Sequence, residues 1–393
     1  MKRILLSAIL ACSLSLPSFQ SQASPGIMSQ LLSECVSQHI LNSGNNLILA
    51  QIEALCSASN PAISVVMPVL VFSARTAYLI NMGVPPRAAT VTAAMTPFSA
   101  RDGEYLTGDG RGMNAGGSFD NIGVWLSATG GVTDNDFVFT PFDNTNRGVQ
   151  AGVDFTPTES SLLGVSVGYS HDDTETPFNG GDLDTDTFTG MLYGAMALGQ
   201  NFSVDATLGY SDISTDERRL AAGVAGFTSD PFRTLAFGTP ISGEIDASRW
   251  FGTLNLNGFW TIRHLLLEAQ LGYLHSETNQ DSFTETGGGI TATARGETYS
   301  LSQWHVGATV GYDFGTFLEP YAGVDYSYDI SREEVRVAPG LQQPANDRSE
   351  MLVRLGMRYF GDNGISGALE WSTNALRQDI DSNTLLLNLR IDL

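Results

Sequence analysis

Phe202-Ser203-Val204-Asp205-Ala206-Thr207-Leu208-Gly209-Tyr210-Ser211 alternates without a break, with an apolar residue at every even position and a small or polar one at every odd position. A period of two is the signature of a β-strand with one apolar and one polar face. The pattern returns in Val306, Ala308, Val310, Tyr312 and Phe314 against His305, Gly307, Thr309, Gly311 and Asp313, and in Leu385, Leu387, Leu389, Ile391 and Leu393 against Thr384, Asn388, Arg390 and Asp392. Twelve such segments can be counted, centred near residues 125, 152, 166, 192, 206, 256, 270, 306, 323, 355, 369 and 388. The segment near 192 is apolar on both faces, which leaves its register open.

The connections are sorted. Long polar stretches (130–146, 171–184, 212–244, 276–295 and 331–347) alternate with short turns at 157–159, 199–200, 263, 315–316 and 362–363. A soluble sandwich has no reason to alternate in this way. A transmembrane barrel does, because its short turns and long loops lie on opposite sides of the bilayer. Lipid also demands closure, since every backbone polar group must find a partner inside the protein. Aromatic residues near segment ends (Tyr169, Tyr210, Trp250, Trp260, Tyr273, Tyr312, Phe314 and Tyr359) suit interfacial girdles.

Composition narrows the classes further. The 393 residues carry 42 acids against 20 bases, a net charge of -22, which argues against nucleic-acid binding. An apolar fraction of 42% argues against disorder. Residues 1–23 read as a secretory signal peptide: Lys2 and Arg3, an apolar run from Ile4 to Leu16, and Ser21-Gln22-Ala23 before the cut. Residues 24–84 form a short helical segment holding Cys35 and Cys56, which in an exported chain are expected to pair as a disulfide. Residues 85–115 are a linker. The leader is positive and residues 24–115 are nearly neutral, so the acidity falls on residues 116–393.

Residues 116–393 resemble the autotransporter β-domain, the translocator of type V secretion in Gram-negative bacteria. The resemblance rests on the opening Gly123-Val124-Trp125, on the repeated Val167-Gly168-Tyr169, Leu208-Gly209-Tyr210, Leu271-Gly272-Tyr273 and Val310-Gly311-Tyr312, and on the C-terminal position. It implies an all-β fold, a twelve-stranded antiparallel transmembrane β-barrel with a small helical N-terminal segment. It also implies a helix from residues about 86–100 threading the pore, insertion by the barrel-assembly machinery, and an outer membrane with lipopolysaccharide as surroundings. The final Leu393 departs from the family's usual terminal aromatic, and residues 24–84 are far shorter than the family's usual passenger.

Enzymatic chemistry is not expected. Gly164-Val165-Ser166-Val167-Gly168 matches a nucleophile elbow, but Ser166 lies mid-strand rather than at a strand-to-helix turn. His39, His171, His264, His275 and His305 form no zinc-binding spacing, and Asp182-Leu183-Asp184-Thr185-Asp186 lacks the glycine of a calcium loop. No catalytic residue, metal or cofactor is therefore assigned. Parity instead turns Glu268, Glu319, Asp325, Glu370, Arg354, Arg358 and Arg390 into the lumen, where charges of both signs are expected to pair as a structural ladder, with a docking surface for the threaded helix or an ion-selective constriction as the alternatives.

The expected function is a monomeric outer-membrane anchor or translocator for the chain's own short N-terminal segment. The alternatives are a porin-like channel and an adhesin acting through acidic loops, especially 212–244 and 276–295.

Overall fold

The computed structural model describes residues 122–392, apart from 137–140, 159, 178–179, 200, 222–231, 233, 237, 315–316, 333–347 and 362–364. The leader, the helical segment, the Cys35/Cys56 pair and the linker expected from the sequence lie outside the described residues. Those residues hold strands and no helix. The strands are β1 (Ile122–Asn135), β2 (Phe142–Thr158), β3 (Ser161–Thr176), β4 (Gly181–Ala197), β5 (Phe202–Leu220), β6 (Pro240–Ile262), β7 (Leu265–Gln280), β8 (Phe283–Gly287), β9 (Ile290–Ala294), β10 (Glu297–Tyr312), β11 (Leu318–Arg332), β12 (Ser349–Phe360), β13 (Ile365–Ala375) and β14 (Ile380–Asp392).

All strands except β8 and β9 pair antiparallel in one ring. Each of the twelve segments read from the sequence is one ring strand. Closure is made by β1 against β14, an unbroken ladder from Gly123↔Asp392 to Asn135↔Ile380. No edge is left in the ring, which satisfies the backbone in lipid.

Alternation sorts the side chains. Even positions of β5 and β6, such as Leu208 (63% exposed) and Trp250 (61%), point outward, while Asp205, Thr207, Asn255 and Asn257 are buried inside. The register of β4 is now settled: Phe188, Leu192 and Met196 face out, and Met191 and Tyr193 face in. The girdle aromatics pair across strands, Tyr210 with Trp250 at one level and Phe202 with Trp260 at the other. Trp250 and Trp260 are ten residues apart on β6, about 33 Å along the strand at ~3.3 Å per residue. A tilt of about 40° brings this to the ~25 Å height of an apolar band.

The long stretches differ from expectation. Most are not loops but continuations of the strands beyond the outer girdle. β3 and β4 run on to Thr176 and Gly181, and β5 and β6 reach Leu220 and Pro240. The stretch 276–295 holds the end of β7 and the β8–β9 hairpin, which adds to the edge of β6 through Ser242↔Thr286 to Glu244↔Thr284. The reason lies on the inner face. Phe142, Leu183, Ile213, Ile245, Ala247 and Phe283 form one apolar cluster, packed by Ala294, so the extended sheet curls over a core of its own. Ala221, Phe232 and Ile241 form a second cluster beneath the hairpin. On the opposite side the turns are minimal: Arg263 takes a φ of 61° between β6 and β7, and Gly199 a φ of 80° between β4 and β5.

Leu256, midway between the two tryptophans, is expected to be sensitive to charge. Leu256→Arg should cost about 2–4 kcal/mol of folding free energy in lipid vesicles, measured by urea titration. Asp246→Arg, above the outer girdle, should cost less than about 1 kcal/mol.

Candidate functional site

Two arginine-centred networks brace the inside of the barrel. The first is built on β12, which turns Arg354 and Arg358 into the lumen. Arg358 donates from Nη1 to Glu268 Oε1 (2.6 Å) and Glu319 Oε1 (2.8 Å), and from Nη2 to Glu268 Oε2 (2.9 Å). Its guanidinium carbon lies 4.5 Å from the centre of the Tyr321 ring. Arg354 donates from Nε to Asp325 Oδ2 (2.5 Å), from Nη1 to Glu370 Oε2 (3.3 Å) and from Nη2 to Thr309 Oγ1 (3.1 Å). The Tyr321 hydroxyl donates to the same Glu370 oxygen at 2.8 Å, which joins the two arginines into one assembly. Tyr321 lies opposite Gly356 in the ladder, and a Cβ there would strike its ring. The assembly ties β7, β10, β11, β12 and β13 together from within. Two guanidinium groups face four carboxyl groups.

Arg390 stands apart from the other six lumen charges. It grips Asp154 through two bonds of 2.6 Å, Nη1 to Oδ2 and Nη2 to Oδ1. The Tyr193 hydroxyl donates to Asp154 Oδ2 at 3.4 Å and accepts from Trp125 Nε1 at 2.6 Å. Tyr193 lies opposite Gly164, where a side chain would collide with the ring. Residues of β14, β1, β2 and β4 thus meet over the closing seam. Asp154, Tyr193, Trp125 and Tyr321 were not among the lumen residues singled out from the sequence. Asp154 sits two residues beyond Gly152, so parity alone would have turned it inward. The aromatics carry no comparable signal, because on a barrel strand they serve the girdles as readily as the lumen.

Ser166, the centre of the apparent elbow, lies mid-strand on β3 and accepts a bond from Gln150 Nε2 (2.9 Å). The serine is a small lumen residue in a ladder, with no turn to expose it.

Beyond the outer girdle, the inner face carries a buried triad under the hairpin. Arg219 Nε donates to Glu285 Oε1 (2.5 Å) and lies 3.9 Å from Glu217 Oε1, with its guanidinium over the Phe232 ring. Burial, and then the Glu285 carboxylate, push Glu217 up to about 8, with Arg219 opposing. The outward face of the same sheet is acidic. Asp173, Asp184, Asp216 and Glu244 are successive ladder neighbours across β3, β4, β5 and β6. Asp182, Asp184 and Asp186, expected in a loop, alternate along β4, and His171 Nδ1 lies 3.0 Å from Asp186 and 3.4 Å from Asp184.

The family model described as the autotransporter beta-domain matches residues 124–374. The YaiT proteins of Escherichia coli K12 and Salmonella typhimurium, both described as uncharacterized, are each 22% identical over 254 residues, covering 62% of this chain. The match takes in 24% of either protein, so the chain spans about a quarter of the length of these relatives. Among solved structures, the translocator domain of the autotransporter NalP from Neisseria meningitidis superposes with a TM-score of 0.61 at 10% identity, covering 82% of this chain and 99% of that one. The β-domain of the Bordetella autotransporter BrkA gives 0.54 at 12% identity, covering 70% and 100%. These likenesses show the fold.

Arg390→Ala leaves Asp154 buried and unpaired, and should cost about 3–5 kcal/mol. The expected readout is a lower temperature for loss of the compact band in heat-modified electrophoresis. The strand extension under the β8–β9 hairpin should respond to pH through Glu217. This carboxyl ionises near 4.5 when unfolded and about 8 when folded, so stability falls as pH rises between those values and is level above them. Hydrogen exchange of residues 283–294 should quicken over that range, and Glu217→Gln should flatten the dependence.

Proposed function

The chain belongs to the autotransporter family through its β-domain, and on that premise we propose that it is an outer-membrane translocator and anchor that carries its own short N-terminal segment, residues 24–84, to or through the bilayer. One observation carries the reading. β1 begins at Ile122 on the short-turn side, paired with the end of β14, so the preceding chain joins the barrel at the rim where the C-terminal strand also finishes. The lumen beside that entry is polar and braced by charge networks, which suits a chain segment held inside. Beyond the outer girdle, apolar side chains of β2, β4, β5 and β6 pack together with those of the β8–β9 hairpin, which favours a held segment over a freely open pore.

In this reading the barrel stands as a monomer in the outer membrane of a Gram-negative bacterium, inserted by the barrel-assembly machinery and surrounded by lipopolysaccharide. The barrel part performs no catalysis. A second reading, a surface interaction through acidic groups, is favoured by the in-register row of Asp173, Asp184, Asp216 and Glu244. It moves the acidic surface from the expected loops to the outward strand face.

An epitope inserted at residue 40 tests the first reading. Protease added to intact cells should remove the epitope while the barrel keeps its heat-modifiable mobility. An epitope that stays protected in cells with a correctly inserted barrel would refute surface delivery. Neutralising Asp173, Asp184, Asp216 and Glu244 together should leave that result unchanged and, under the second reading, abolish attachment to neighbouring cells.

A further inference from the structure

Of the acids that face the lumen between the girdles, Asp154, Glu268, Glu319, Asp325 and Glu370 each touch an arginine. Asp205 does not. It is 3% exposed, and each of its carboxylate oxygens accepts one amide hydrogen: Oδ2 from Asn255 Nδ2 at 2.6 Å and Oδ1 from Asn257 Nδ2 at 2.7 Å. Gln270 Nε2 in turn donates to Asn257 Oδ1 at 3.0 Å. All three amides therefore spend N–H groups along the chain that ends on the carboxylate, and no positive charge among the described residues balances it.

The neighbouring oxygens are unsatisfied. Asn255 Oδ1, Thr207 Oγ1 and Thr253 Oγ1 are buried without a hydrogen-bond partner among the described residues. Their arrangement is set by register. Asp205 faces Asn255 on one rung of β5 and β6, and Thr207 faces Thr253 on the next. The same rung continues to Gly272 on β7 and His305 on β10, and the His305 ring and Asn255 Oδ1 both crowd the space over Gly272. Asn255 lies midway between Trp250 and Trp260, near the middle of the bilayer. A buried ionised group at that depth has a high desolvation cost unless a counter-charge meets it. Ordered water would satisfy the orphaned oxygens but not the charge.

We propose that this rung is a cation-binding station in the barrel lumen, formed by the Asp205 carboxylate and Asn255 Oδ1 with the hydroxyls of Thr207 and Thr253. The donors are all oxygen, which suits a hard cation such as Na⁺ or Ca²⁺ rather than a thiophilic metal. A single carboxylate makes the site weak, with a Kd for Ca²⁺ on the order of 10⁻⁴ to 10⁻³ M. The two amide bonds to Asp205 orient the carboxylate and leave its remaining lone pairs to the ion.

The test uses the full chain folded in non-ionic detergent micelles and CaCl₂ as the probe, followed by isothermal titration and by the temperature at which heat-modified mobility is lost. Asp184→Asn/Asp186→Asn serves as the background, which removes the outward carboxylates beside His171. Saturable binding should survive in that background together with a rise in the mobility-loss temperature. Asp205→Asn should weaken the binding at least tenfold and remove the thermal shift. Thr253→Val keeps the size of the side chain and deletes one ligand, so it should weaken binding severalfold if the Asp205 variant does not fold. Absence of saturable binding in the background chain, or binding unchanged in both Asp205→Asn and Thr253→Val, would overturn the proposal.

Discussion

Everything in this barrel depends on the ladder between β1 and β14. In hydrocarbon an unpaired backbone amide or carbonyl has no water to turn to, and each such group costs several kcal/mol. The sheet must therefore close, and it closes by joining strands whose paired residues, from Gly123↔Asp392 to Asn135↔Ile380, come from opposite ends of the barrel sequence. Period-two alternation follows from closure, because one face of every strand then meets lipid and the other the lumen. The lumen is braced where the ladder is most exposed to failure. Asp154 and Arg390 reach across the seam from the strands on either side of β1, and Trp125 and Tyr193 complete the contact.

The lumen charges divide along the wall. On the β10–β14 side, with β7, carboxylates outnumber the guanidinium groups but every acid touches one. Removing an arginine there would strand a buried carboxylate, which is why such networks hold a fixed arrangement even when their net stabilisation is small. On the β5–β6 wall the carboxyl of Asp205 meets only neutral amides. That contrast separates a structural brace from a site open to a ligand.

Outside the membrane the same strands change their role without changing their geometry. Past the Tyr210 and Trp250 level the outward residues become aspartate, glutamate and serine, while the inward ones become Leu183, Ile213 and Ile245. The apolar face has moved from the lipid side to the interior, because water now surrounds the sheet. The extension buries its own core, and the β8–β9 hairpin lies over it.

Sequence alone determined the twelve ring strands and, β4 apart, their parity. Alternation is a local property, and Phe202 to Ser211 or Val306 to Phe314 carry it in ten residues or fewer. It also placed Glu268, Glu319, Asp325, Arg354, Arg358, Glu370 and Arg390 inside. What only the tertiary structure decided is which of these meet: six form one assembly, and Arg390 joins Asp154 some 236 positions away. Pairing depends on relative heights around a closed ring, set by the stagger of every ladder together, and no single segment encodes it. The stretches beyond the girdle read as loops in the sequence for the same reason. Their polar residues announced water, but only the curl of the sheet showed that Phe142 and Phe283 share a core and that the backbone there remains a ladder.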